Sequence, residues 1–188
     1  MSIETASIDL KFPTWYTEWE RTLPDILPTD TDAMSTAISI SSLNVKRGYG
    51  GPFGAVAVES GSRKIVATGM NVVLTAKSSL LHAEIACIIR AQKALNSHTL
   101  KSADIILYSS SEPCAMCMGA IPWSGISQLV CAARDEDVRA IGYDEGLKPD
   151  NWAGNFNKQY GIKVIRDFMR DEAVSVLQSY AHKIGIIY

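Results

Sequence analysis

From Gly50 to the C-terminus, stretches of strand-like composition alternate with stretches of helical period, and this alternation restricts the fold more than any other feature of the chain. "PFGAVAVE" (52–59) and "RKIVATGM" (63–70) read as two short strands joined by Ser60-Gly61-Ser62, a hairpin turn signal. "LLHAEIACIIRAQKAL" (80–95) carries Ile85, Ile88, Ile89 and Leu95 at helical spacing, with Arg90 and Lys93 near its far end. A strand (104–110), a short helix ("CAMCMGAIPWSG"), a strand (126–133), a helix ("DEDVRAI"), a strand ("GIKVIRDF") and a last helix ("RDEAVSVLQSYAHK") complete the series. Strand alternating with helix implies a three-layer α/β/α sandwich around a mixed, mainly parallel sheet. Its strand-to-helix turns are the places where open α/β sheets hold ligands.

Upstream, "TDAMSTAISISSLNVKRG" has an apolar stripe at Met34, Ala37, Ile38 and Val45 and reads as a helix capped by Thr31 or Asp32. The first thirty residues hold Trp15, Trp19, Pro13, Pro24 and Pro28, which reads as an extension wrapping the domain and not as a helix in its own right. The expected division is an N-terminal extension (1–30), a catalytic domain (31–182) and a short C-terminal tail (183–188). With 47% hydrophobic residues, 188 residues suffice for a continuous core. There is no run of about 18 apolar residues and no secretory leader pattern, so no membrane partner is expected and the chain reads as cytoplasmic. A formal net charge of −2 and the lack of a long Lys/Arg cluster argue against a large nucleic-acid substrate.

Four cysteines (Cys87, Cys114, Cys117, Cys131) are too few and too scattered for a disulfide framework. "PCAMC" (113–117) alone is compatible with a redox pair, half a structural zinc site or part of a catalytic metal centre. "HAE" at 82–84 favours the last of these. His82, Cys114 and Cys117 supply three ligands, and three ligands with one open position is the catalytic zinc pattern, expected here as one zinc per chain. Both clusters fall at helix starts, where free N–H groups favour thiolate. Glu84, two residues past His82, reaches a water at the metal without ligating it, and is the candidate general acid/base.

"HAE" followed by "PCAMC" resembles the signature of the zinc-dependent cytidine-deaminase-like superfamily. "PFGA", Asn71, "SSEPCAMCMGAIPWSG" and "AIGYDEG" extend the resemblance, over about three quarters of the chain, to bacterial and plant guanine deaminases and the related guanosine deaminases. The resemblance implies attack of hydroxide, generated at zinc, on C2 of guanine, with Glu84 moving protons and xanthine and ammonia as products. It also implies an oxyanion donor in the Ala83 N–H, purine recognition by Asn71, packing of Phe53 and Trp123 on the base, and a second carboxylate at Glu145. The apolar end "HKIGIIY" would close the site through Tyr188, in related enzymes often by exchange between the subunits of a homodimer. Other activities of the same fold stay open: guanosine, cytosine, triazine (ammeline) or tRNA adenosine deamination, or a silent nucleobase-binding relative. The intact His82, Glu84, Cys114 and Cys117 weigh against the last.

Overall fold

The structure, a computed structural model, describes residues 10–183 and 186–188. Residues 1–9 of the N-terminal extension and Ile184 and Gly185 of the tail fall outside the described residues.

The elements run α1 (Thr14–Glu20), α2 (Asp30–Arg47), β1 (Gly54–Glu59), β2 (Ile65–Met70), α3 (Val73–Ala76), α4 (Ala83–Ala94), β3 (Ile105–Ser111), α5 (Ala115–Ser124), β4 (Gln128–Ala133), α6 (Asp135–Ala140), α7 (Trp152–Tyr160), β5 (Lys163–Ile165) and α8 (Arg170–His182). The strands form one sheet in the order β2-β1-β3-β4-β5. The β1/β2 and β1/β3 pairs are antiparallel, and β3/β4 and β4/β5 are parallel. Four strands therefore point one way and only β1 opposes them. The hairpin forces β1 against β2, and the return through α4 lays β3 beside β1 with the direction of β2.

Period-two alternation divides the core between two faces. Val56 and Val58 of β1, Ile106 and Tyr108 of β3 and Val130 of β4 pack with α2 and α8 residues such as Met34, Ile38 and Leu177. Ala55 and Ala57, Ile105 and Leu107, and Leu129 and Cys131 pack instead with Ala83, Cys87 and Ile88 of α4, Ile121 of α5 and Phe156 of α7. This is the expected α/β/α sandwich.

Local differences from the sequence reading have identifiable causes. The extension does contain a helix: Pro13, with φ of −67°, sits at the N-cap of α1, where a missing N–H costs nothing. The helix is held by Glu20, whose carboxylate accepts both terminal nitrogens of Arg90 at 2.6 and 2.8 Å, while the Tyr16 hydroxyl meets Thr68 Oγ1 at 2.6 Å. The cap of α2 is Thr29, not Thr31 or Asp32. Its hydroxyl accepts from Asp32 N at 3.1 Å and Asp32 Oδ2 accepts from Thr29 N at 3.0 Å, a reciprocal pair worth roughly 1 kcal/mol. The β1/β2 turn forms where Ser60-Gly61-Ser62 marks it, and its left-handed residue is Arg63 (φ 61°), whose guanidinium meets Leu27 O, Tyr108 and Asp30. The sequence reading did not include α3 or α7.

The direction of the strands positions the site. The C-terminal ends of β2, β3 and β4 and the start of β1 share one edge, so Asn71, Glu112, Asp135 and Phe53 emerge together. Gly69 lets α4 start there. A β-carbon on it would lie 2.6 Å from Cys87 Cβ and collide with the Ala83 carbonyl, so the helix carrying His82 and Glu84 rests directly on the β2 backbone.

Candidate active site

His82 is the N-cap of α4 and Cys114 the N-cap of α5, which puts Glu84 at the second helical position of one helix and Cys117 at the third of the other. The ligand atoms of His82, Cys114 and Cys117 lie within 4.8 Å of one another, and Cys114 Sγ is 3.5 Å from His82 Nδ1. Tetrahedral zinc, with bonds of about 2.3 Å to sulfur and 2.0–2.1 Å to nitrogen, requires ligand separations of roughly 3.5–3.8 Å, so the set fits with little movement. Cys117 is fully buried and Cys114 nearly so.

The electrostatics also ask for a cation. A hydrogen bond from Cys117 brings the Cys114 thiol down to about 4, aided by His82, while the same bond and burial drive Cys117 well above its ordinary value. The pair thus shares one proton. Burial raises Glu84, and the neighbouring Cys114 thiolate raises it further. For His82, burial works downward, but the hydrogen bond to Cys114 and the charges of Glu84, Cys114 and Glu145 leave its imidazole raised overall. Two anionic groups and a shared proton crowded out of water are relieved when a divalent ion takes the proton's place.

Phe53, His82, Glu84, Glu112, Cys114, Tyr143, Glu145 and Tyr188 all face one cavity of about 30 Å³, room for water but not for a purine. Glu84 is only 4% exposed there. Glu145 is buried too, and burial together with the negative Cys114 and Glu84 raises it to about 7 against the opposing pull of Lys148. Ala83 opens α4, where a backbone N–H has no carbonyl partner within the helix. Asn71 is fully buried behind Tyr188, whose hydroxyl donates to Asn71 Oδ1 at 2.5 Å. Tyr143 packs edge-on between Phe53 (5.2 Å) and Tyr188 (5.4 Å). The structure therefore brings together every singled-out residue except Trp123, which is 85% exposed on α5 and lines a separate groove instead of this cavity.

Two cavity residues escaped the sequence reading. Glu112 is buried, accepts Asp135 N at 3.1 Å and is paired with Arg166, 54 positions away. The only sequence signal was an acid directly before "PC" at the end of an apolar strand. Tyr143 lies within "AIGYDEG", but nothing local marks it as a site residue, since its partners Phe53 and Tyr188 lie far away in sequence.

Fold and site together define a zinc-dependent aminohydrolase. Residues 28–133 match the model of the cytidine and deoxycytidylate deaminase zinc-binding region, and the chain belongs to that family. It is 40% identical over 114 residues to the guanine deaminase of Bacillus subtilis, covering 61% of this chain and 70% of that protein. A solved structure of the guanine deaminase from Nitrosomonas europaea superposes with a TM-score of 0.88 at 35% identity, covering 94% of this chain and 97% of that one. The tRNA-specific adenosine deaminase of Buchnera aphidicola is 32% identical over 129 residues, 69% of this chain and 79% of that protein.

Proposed function

We propose that the protein hydrolyses guanine to xanthine and ammonia. The observation that carries this reading beyond the family is the Asn71 carboxamide. Its Oδ1 accepts the Tyr188 hydroxyl, while Nδ2 is buried without a hydrogen-bond partner among the described residues. An orphaned buried donor costs about 1–3 kcal/mol, which a ligand acceptor removes. Guanine offers an acceptor at O6 beside a donor at N1, so the two atoms of the amide match that edge. Glu145 faces the same cavity and suits the remaining ring N–H groups. The likeness to proteins named guanine deaminase supports the same substrate.

The residues divide the work. His82, Cys114 and Cys117 would hold the metal, and zinc, when bound, supplies the Lewis acidity that lets a water lose its proton near neutral pH. Glu84 would take that proton and deliver it to ring N3 as C2 is attacked. It would then carry the second proton of the same water, from the hydroxyl now on C2, to the amine, so that the C–N bond breaks, ammonia leaves and the C2 carbonyl forms. The Ala83 N–H sits where it can meet charge developing on the adduct. With Tyr188 seated, the cavity is too small for a purine. Residues 186–188 thus shift as guanine enters and close over it afterwards, excluding water.

The expected result is ammonia release from guanine by the purified protein, at least about tenfold faster at equal concentration than from guanosine, cytosine, adenine or ammeline assayed in parallel. A preference for any of the other four would overturn the substrate assignment while leaving the zinc aminohydrolase class intact.

We also propose a homodimer through the outer face of α5 and the loop beside it. Trp123, Leu147 and Tyr160 are 85%, 98% and 56% exposed and line one groove with Met118 and Trp152. Apolar side chains this prominent mark an interface. A contact of Trp123 with purine would come from across that dimer. The Tyr188 hydroxyl reaches Asn71 of its own chain, which favours a tail acting within one subunit. Light scattering should find dimers for the natural chain and monomers for Trp123→Asp combined with Leu147→Asp, whereas unchanged dimers would move the interface elsewhere. A cytoplasmic location suits a site whose two cysteines must stay reduced to ligate, and among the described residues no helix is long and apolar enough to cross a membrane.

A further inference from the structure

Lys148 lies three residues beyond Glu145 and, unlike most lysines, keeps its side chain largely out of water, at 8% exposed. Its ammonium has three donors and meets three oxygens, each from a different part of the chain. It forms an ion pair with the Asp135 carboxylate at the start of α6. It donates to the carbonyl of Pro113 at 3.0 Å, the residue immediately before the ligand Cys114. The third oxygen is Glu145 Oε2 at 3.7 Å.

The loop carrying Glu145 is also tied down through its backbone and through Asp144, whose Oδ1 accepts from Gly146 N at 2.9 Å and pairs with Arg139 at 3.5 Å. Ala115 N donates to the Glu145 carbonyl at 2.9 Å, and Arg139 holds the Gly146 carbonyl at 2.6 Å. Gly146, with φ of 71°, turns so closely over α5 that a β-carbon would come within 2.8 Å of Ala115 Cβ. These contacts fix where the loop runs. They do not fix the Glu145 side chain, and the Lys148 ammonium is the one cation within ion-pair distance of it among the described residues. Asp135, in turn, is fixed through its N–H by Glu112, so the ammonium sits on a rigid acidic seat behind the ligand cysteines.

We infer that Lys148 is a positioning residue for the deamination: its buried ammonium bridges Asp135 and the Pro113 carbonyl and holds the Glu145 carboxylate aimed into the cavity. Lys148 itself does not line the cavity, which Glu145 does. The inference rests on the reading of Glu145 as the second carboxylate of the guanine site. A side chain that orients another acts through it, so the two should be strongly non-additive when both are changed.

The test is a double-mutant cycle on the zinc-loaded enzyme with guanine. Lys148→Met should lower kcat by about 10- to 100-fold, the scale of a misaligned reacting group, with zinc content and thermal midpoint within a few degrees of the natural chain. Glu145→Gln should lower kcat by about 10²-fold or more. In the Glu145→Gln background, adding Lys148→Met should cost less than about twofold further. Equal loss in both backgrounds would overturn the role of Lys148 while leaving Glu145 in place. Unchanged kcat in Glu145→Gln would overturn the reading of Glu145 and this proposal with it. Should Lys148→Met fail to fold, Lys148→Gln keeps an N–H for Pro113 without the charge. A kcat loss of at least about fivefold is then expected, and natural turnover would overturn the proposal.

Discussion

Glu84→Gln is expected to keep one zinc per chain, an unchanged thermal midpoint and near-natural KM, while kcat falls by about 10²- to 10⁴-fold, the usual worth of a positioned proton carrier. The substitution preserves volume at a position only 4% exposed, so no cavity forms and the start of α4 stays on Gly69. Nor does it remove a ligand, since the three donors that meet within 4.8 Å are His82, Cys114 and Cys117. What the amide lacks is a site that accepts a proton from water and passes it on. Burial and the Cys114 thiolate already raise Glu84, which brings its affinity for a proton closer to that of the groups it must exchange with. Elemental analysis and steady-state kinetics on the same preparation decide the matter. Zinc lost in step with activity would move Glu84 into the coordination shell, and full turnover would remove it from the mechanism.

How much of this was legible in the sequence depended on whether the signal was local. The spacing of "HAE" and "PCAMC", each at the junction of strand and helix, needs no tertiary information, and both fell at helix N-caps as expected. Short strand-like runs bounded by turn or helix signals likewise marked β1, β3 and β4, because each buries both faces in different layers and so reads as nearly continuous apolar sequence. The helix α1 was missed because its flanking prolines read as breakers. Its stability comes from the Glu20–Arg90 pair across 70 residues, which no window detects. The helix α7 escaped because Trp152 and Phe156 were too few to stand out among polar neighbours, although they anchor it against the sheet. Tyr143, Glu112 and Lys148 belong to the same class, since their partners are assembled only when the ends of β2, β3 and β4 come to one edge. Trp123 shows the converse. A local motif placed it beside the ligands in sequence, yet the turn of α5 carries it to the outer surface.

Replacing Cys117 by Ala is expected to abolish turnover and reduce bound zinc below about a tenth per chain, since two ligands cannot close the coordination that three provide. The chain should nevertheless remain folded. Cys117 lies at the third position of α5, at the rim of a sandwich whose two apolar layers are complete without it, unlike small domains whose only core is the metal. Stripping metal from the natural chain should give the same picture by a gentler route. In the metal-free chain Cys114 Sγ meets His82 Nδ1 at 3.5 Å and so links the two helix starts, while the Cys117 thiol bonds to the Cys114 thiolate within α5, so circular dichroism should hardly change while activity disappears. Zinc binding only the folded form then raises the thermal midpoint as it is returned, in proportion to the logarithm of its free concentration above Kd. Activity should come back at one equivalent and rise no further. Cooperative unfolding on chelation would mean that the ion holds the fold, and undiminished turnover with under about a tenth of a zinc per chain would remove the metal from the chemistry altogether.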